Sequence, residues 1–400
     1  MSTSELVIRV AAKGDGITES GRHVPFAAPE DRVAPDGTIA PGPHHQMPPC
    51  RHFGKCGGCQ LQHLDDETLA GFVRDRVANA AEGQGLQPAL VTQAAMSPPH
   101  SRRRASLKAI NGGGGPLIGF SESGSHRLVD LRACHVLLPE LFAAVESLRA
   151  LLAKQKGRYA VSIELARVEQ GLDCALKGYA PEGLEAIEAL LDYCRDHRLA
   201  RLTLDNGYGP EPFWEPEPVT VKLGGLSVAY PPGAFMQATD HGETALVDAA
   251  REWLADCGSV ADLFAGLGTF ALPLAGGRKV LAAEAERAAV LALKGAATRA
   301  GGLVETAHRD LFRNPLRADE MRGLDGVVID PPRAGARAQV EQLAASGVER
   351  IVYISCNPSS WSRDGKLLVE AGYKLVEVRP VGQFRWSTHV ELASLFVRQS

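Results

Sequence analysis

Four hundred residues exceed the reach of one hydrophobic core, so two or three domains are expected. At 45% hydrophobic and 22% charged, the composition is that of an ordinary soluble protein. No apolar run has the length of a membrane helix, and the start, Met1-Ser-Thr-Ser-Glu5, lacks a signal-peptide pattern, so a cytoplasmic protein without membrane partners is expected. A net charge of −4 excludes whole-molecule attraction to nucleic acid, leaving local basic patches to make any phosphate contacts.

In chain order, residues 6–10 alternate weakly and lead into the glycine turn Lys13-Gly-Asp-Gly-Ile17. A second short strand near residues 23–26 precedes a Pro/Gly/His-rich connector over residues 35–49. Leu69, Phe72, Val73, Val77 and Ala80 have helical spacing, which predicts a helix over residues 65–82 able to pack on the C-terminal domain. Strands are predicted at 105–110, 117–120, 160–164, 173–176 and 201–204, with helices at 138–152 and 181–196. From Tyr230 the rhythm changes to strand, turn, helix. Strands are expected at 259–264, 279–283, 326–329, 350–354, 373–378 and 392–397, and helices at 268–275 and 287–300. That alternation implies an α/β fold with a largely parallel, doubly wound sheet. Three units follow: a short β module and linker (1–48), a mixed α/β unit (49–229) and the doubly wound unit (230–400).

Ligands of such sheets bind beyond the carboxyl ends of the strands. Asp262-Leu-Phe-Ala-Gly-Leu-Gly268 falls at one such end, where Gly266 and Gly268 let the backbone approach a ligand and start a helix tightly. Glu284, ending the next strand, can accept hydrogen bonds from a ribose diol. Asp310 is placed for the adenine side, and Asp330-Pro-Pro-Arg333 closes a third strand end. The loop lacks the Gly-Lys-Ser/Thr ending of a P-loop, so S-adenosylmethionine fits better than a nucleotide. Methylases of exocyclic amines usually follow the double proline with a stacking aromatic. Arg333 stands there instead and points to ring-carbon chemistry.

A lone cysteine after a strand is more often a packed core residue. Cys356, in Ile354-Ser-Cys-Asn-Pro358, is read against its neighbours. Carbon 5 of uracil is too weak a nucleophile to take a methyl group directly. A thiolate adding to carbon 6 creates the needed enolate, and a general base must later remove the carbon 5 proton. Cys356 supplies the thiol, and Glu391, in Thr388-His-Val-Glu391, is the leading candidate for the base. His389 reads equally as a proton shuttle or a satisfied polar residue. Such a site takes only a flipped or single-stranded uridine.

Cys50, Cys56 and Cys59 form a C-x5-C-x2-C cluster, which with Cys134 fits either an iron–sulfur centre or zinc. Cys174, Cys194 and Cys257 match no motif and are expected to pack in the core. Ser101-Arg-Arg-Arg104 with Lys108, Arg127 and Arg132 is the densest basic stretch of the middle unit, a candidate phosphate-binding face.

From residue 49 onward, these motifs resemble the S-adenosylmethionine-dependent RNA uracil-5-methyltransferases, especially the iron–sulfur branch acting on 23S ribosomal RNA. The resemblance implies a class I, Rossmann-like methyltransferase domain with Cys356 as nucleophile and Glu391 as base. It implies cofactor positions at Gln237 (in Phe235-Met-Gln237), Phe264, Glu284, Asp310 and Asp330. Thr269 stands where relatives often carry Asn. By the same resemblance Cys50, Cys56, Cys59 and Cys134 ligate a 4Fe–4S cluster within an RNA-binding domain. Ribosomal RNA is the favoured substrate, transfer RNA the alternative, and a monomer is expected. Lys13-Gly-Asp-Gly-Ile17 resembles part of a TRAM domain, an OB-like barrel. The connector takes the place of the barrel's second half, which predicts a truncated module.

Overall fold

The computed structural model describes residues 4–111, 114–155 and 157–399. Residues 1–3, part of the stretch read for a signal peptide, lie outside them.

Five short strands open the chain: β1 (Glu5–Val10), β2 (Gly16–Thr18), β3 (His23–Val24), β4 (Arg32–Val33) and β5 (Ile39–Ala40). They pair antiparallel in the order β3-β2-β1-β4-β5, and among the described residues β3 and β5 do not meet, so the sheet stays open. The expected connector is corrected here, because β5 lies inside it. Polar contacts rather than an apolar run build this half. Buried Asp31 accepts the Ala28 and Gly42 amides at 2.7 Å each and pairs with the His45 ring. Only Val7, Val24, Ala27 and Val33 form the small core.

Helix α1 (Asp66–Glu82) is capped by Asp65, which accepts the Thr68 amide at 2.8 Å. After it, β6 (Leu90–Val91) and β7 (Ala95–Met96) leave the middle of the chain and pair with the far C-terminal sheet. The next elements are β8 (Arg104–Asn111), β9 (Pro116–Gly119), α2 (Pro139–Leu152), β10 (Tyr159–Val168), β11 (Gly171–Lys177), α3 (Gly183–Asp196), β12 (Leu199–Asp205) and β13 (Glu211–Trp214). Their strands form a sheet in the order β13-β12-β11-β10-β8-β9. Leu107, Ile163 and Leu176 of the sheet bury one face against Leu141, Leu148 and Leu190 of the two helices. On the other face Arg104, Ser106 and Lys108 project together at the two-residue strand repeat. Cys174 and Cys194 are buried in this core, as expected.

A hairpin, β14 (Thr220–Leu223) and β15 (Leu226–Ala229), precedes α4 (Asp240–Trp253). Then follow β16 (Ser259–Leu263), α5 (Ala271–Leu274), β17 (Lys279–Glu284), α6 (Arg287–Arg299), β18 (Val304–His308) and β19 (Gly326–Ile329). The chain ends with α7 (Arg337–Ser346), β20 (Arg350–Ser355), α8 (Pro358–Glu370), β21 (Tyr373–Gly382) and β22 (Glu391–Arg398). Nine strands join in the order β18-β17-β16-β19-β20-β22-β21-β6, with β7 also on β21. Strands β16 to β20 are parallel, and β22 inserts antiparallel between β20 and β21. Two cores cover the two faces. One holds Leu246, Phe270 and Leu293; the other holds Leu69, Val77, Val340 and Trp361, so α1 packs on this sheet.

The helix expected over 268–275 is corrected to the single turn of α5. Residues ahead of it are held in turns by positive φ angles at Phe264 (64°), Gly266 (54°) and Gly268 (95°). A Cβ on Gly268 would lie 2.4 Å from Leu293 Cδ1 and 3.1 Å from Leu272 Cγ, so this glycine serves close packing of α6 over the loop.

Candidate active site

Parallel strands in register deliver their last residues to one edge. Leu263 pairs with Ile329, and Ile329 with Tyr353, so Phe264, Asp330 and Cys356 emerge side by side. Antiparallel β22 closes the group. Ile354 pairs with Ala393 and Ser355 with Leu392, which sets Glu391 next to Cys356. A cavity of about 1040 Å³ covers this edge. Gln237, Phe264, Gly266, Glu284, Asp310, Asp330, Cys356 and Glu391 all line it; Gly268 alone of the expected cofactor positions does not.

Phe264, Gly266, Glu284 and Phe312 line one part of the cavity. Phe264 holds a left-handed backbone, rare for a bulky residue and typical of strained functional loops. Its ring stands 5.3 Å from that of Phe312. Glu284 Oε2 accepts the Gly266 amide at 2.9 Å, while Oε1 accepts the Ala285 and Glu286 amides at 2.7 Å. No side chain fills the space where a Gly266 Cβ would stand. Behind the loop, buried Asp262 accepts the Ala271 amide at 2.8 Å, and burial lifts its carboxyl to about 7.

The reacting half carries the shifted groups. Burial, then the charges of Glu391 and Asp330, push the Cys356 thiol up to about 11. Burial raises Glu391 to about 7 against opposing pulls from a Gln383 hydrogen bond, Arg104 and Arg333. Asp330 is held well above the ordinary carboxylate range by burial, then by Glu391 and Asp262. Asn357 caps α8, accepting the Ser359 amide at 3.1 Å, and its Nδ2 grips the Arg333 carbonyl at 2.9 Å. The backbones on both sides of the thiol are thereby tied together. His389 lines the same cavity, with its ring 5.8 Å from Phe384.

The predicted basic face is corrected into three separate roles. Arg103 is buried and binds Asp240, Glu243 and the Gln237 carbonyl, lacing β8 to the segment before α4. Arg102 lies 5.1 Å over Phe384 and 5.9 Å over Phe120. Arg104 lies 4.5 Å over Phe235. Arg102, Arg104, Ser106 and Lys108 line the cavity itself, while Arg127 and Arg132 pair with Glu122 and Asp130. Charge counting along the sequence cannot tell a patch from alternation about a strand edge. The sequence reading also passed over Phe312 and Gln383, although Phe312 lies in the Arg309-Asp-Leu-Phe312 stretch singled out for Asp310.

Cys50, Cys56, Cys59 and Cys134 are reduced and partly exposed. Burial raises Cys56, Cys59 (to about 12) and Cys134, and each is affected further by neighbouring thiols of the set. The four are therefore within electrostatic reach of one another. Among the described residues, no group of three or more His, Cys, Asp or Glu side chains is drawn close enough to hold a single metal ion. Their loop is laced to the β22 approach through the Gln60 and Leu61 amides, both on the Trp386 carbonyl at 2.8 and 2.9 Å.

A doubly wound sheet with a ligand-sized crevice at its strand ends defines a Rossmann-like methyltransferase fold. The whole chain superposes on the Pyrococcus abyssi tRNA (uracil-54, C5)-methyltransferase, solved with S-adenosyl-L-homocysteine, at a TM-score of 0.75 and 23% identity, covering 98% of this chain and 100% of that one. Residues 313–399 match the tRNA (uracil-5-)-methyltransferase family model. An uncharacterized RNA methyltransferase of Zymomonas mobilis is 47% identical over 98% of this chain and 99% of its own length. The 23S rRNA (uracil(1939)-C(5))-methyltransferase RlmD of Pectobacterium atrosepticum is 31% identical over 90% of this chain and 82% of its own. The chain belongs to the S-adenosylmethionine-dependent RNA (uracil-5-)-methyltransferase family. Among the described residues, no helix is long and apolar enough to cross a membrane.

Proposed function

We propose that this enzyme methylates carbon 5 of one uridine in 23S ribosomal RNA through a covalent adduct of Cys356 with uracil carbon 6. The observation that carries the reading is the β20–β22 register, which sets a thiol and a buried carboxylate side by side at the cofactor crevice. Phe264 and Phe312 are suited to flank an adenine, with Asp310 at its edge. Glu284 is suited to the ribose, and Asp330 and Gln237 to the end nearest the thiol. When bound, S-adenosylmethionine supplies an electrophilic methyl on a sulfonium, whose charge opposes the repulsion that Asp330 and Glu391 exert on the thiol. The Cys356 thiol gives its proton to solvent, and Sγ adds to carbon 6 as the thiolate. The ring electrons move to carbon 5, and carbon 5 takes the methyl as the methyl–sulfonium bond breaks and S-adenosylhomocysteine is left. Glu391 then removes the carbon 5 proton, and the ring expels the thiolate. The target base must leave its stack to enter. Arg104, Ser106 and Lys108, on one face of β8, offer a path for the flanking phosphates.

The four thiols Cys50, Cys56, Cys59 and Cys134 suit a 4Fe–4S cluster as an all-cysteine set. Their mutual electrostatic influence supports the fit. The cluster would clamp the loop that leads to Trp386, supplying a structural tie and no part of the methyl transfer. Ribosomal RNA is favoured by the similarity to the Pectobacterium enzyme. Mapping 5-methyluridine in ribosomal and transfer RNA from a deletion strain tests the reading. Loss at one 23S position is expected, and loss confined to transfer RNA would move the substrate there.

A further inference from the structure

Gln383 lies just beyond β21 and is 2% exposed. Its amide bonds the segment before α4 twice. Oε1 accepts the Thr239 backbone N–H at 3.0 Å. Nε2 donates to Gln237 Oε1 at 2.9 Å. Glu391 pairs with Val381 across the β21–β22 register and lines the cavity beside Gln383, whose amide favours its ionised form. Gln237 Nε2 in turn donates to Asp330 Oδ2 at 3.4 Å. A main-chain N–H cannot become an acceptor, so one backbone group fixes the direction of the whole chain. It forces the Gln383 NH₂ toward Gln237 and Glu391, and it forces the Gln237 NH₂ toward Asp330 and the cavity.

The anchor is itself built in. Thr239 caps α4, its hydroxyl accepting the Gly242 amide at 2.9 Å and meeting Ser97 Oγ at 2.8 Å. Gly242 leaves room for the glutamine, since a Cβ there would stand 2.9 Å from Gln383 Cγ. An apolar side chain would fill this space equally well. The amide is justified only by what it bonds.

We propose that Gln383 is a positioning residue that holds Glu391 as an oriented hydrogen-bond acceptor and fixes Gln237 with its NH₂ toward the cofactor side. The assignment rests on Glu391 being the base of the reaction proposed above. Arg104, Arg333, Asp330 and Cys356 also face Glu391, the arginines stabilising its charge and the two acids opposing it. Removing a buried donor to a carboxylate favours its protonated form.

The test is a pH–rate profile of Gln383→Met, an isostere of similar volume with no donor. The limb for the ionised base should move up by about one pH unit, giving roughly tenfold slower turnover near neutral pH that recovers in alkali. At neutral pH the methylated RNA adduct should accumulate. Gly242→Ala, which displaces an intact amide, should shift the limb the same way. A wild-type profile in both variants, or an equal loss at every pH without adduct, overturns the assignment. Glu391→Gln separates the two levels. If that variant turns over freely, the base itself is wrong. If it stalls as the adduct while Gln383→Met keeps the wild-type profile, only the Gln383 role fails.

Discussion

Cys356 and the cysteines of residues 50–134 are positioned by different means. A strand register places Cys356, with Glu391 opposite it and Asp330 and Arg333 one strand away. Turns place the other four. Cys56 is tied by its amide to the His52 carbonyl at 2.9 Å, and Cys50 by its amide to Gln62 Oε1 at 3.1 Å. Burial raises Cys356 in one region and Cys56, Cys59 and Cys134 in the other, but the surroundings differ. Cys356 faces the carboxylates of Glu391 and Asp330 and the Arg333 guanidinium. Cys59 faces the Gln62 amide and then the other thiols, and half-buried Arg102 is the cation beside it and Cys134. One region gathers ionisable groups about a single thiol, and the other gathers thiols about one another.

Substitutions should separate the two. Cys356→Ala should lower turnover by about 10⁴-fold or more, because no neighbour replaces a nucleophile, while leaving S-adenosylhomocysteine binding intact in calorimetry. Glu391→Gln should cost about 10²–10⁴-fold and trap the methylated adduct on denaturing gels. Burial raises the Glu391 carboxyl to about 7, and the proposed base is its ionised form. Turnover should therefore rise as pH increases through about 7 and fall away below it. Cys59→Ser belongs to the other region. Anaerobically purified wild type should carry iron and sulfide; the variant should lose both and lower Tm by about 5 °C or more. Stoichiometric zinc in the wild type would reject the cluster. Gly268→Ala should cost only ~1–3 kcal/mol of stability, from the positive φ and the crowding of Leu293, measured by denaturant unfolding.

The two regions were also unequally legible in the sequence. Motifs at strand ends name Asp262, Glu284, Asp330 and Cys356, because a parallel sheet turns strand–turn–helix spacing directly into proximity. Glu391 could be named as a candidate base, but its contact with Cys356 depends on β22 inserting between β20 and β21, a pairing no local pattern encodes. Gln383 carries no signature, since its importance is a set of tertiary hydrogen bonds. Within the arginine triplet Arg103 departed from the expected basic face for the same reason. Arg103 is neutralised by Asp240 and Glu243, more than 130 positions away. Strands β4 and β5 escaped because two residues are too few to show alternation, and Asp31 does the work of an apolar core.

The most direct measurement is covalent trapping on RNA carrying 5-fluorouridine, where fluorine replaces the proton Glu391 would remove. A denaturation-resistant complex is expected that forms with S-adenosylmethionine, maps to Cys356 by mass spectrometry, and is absent from Cys356→Ala. A complex of equal yield in Cys356→Ala, or one linked at another residue, would contradict the covalent role of Cys356.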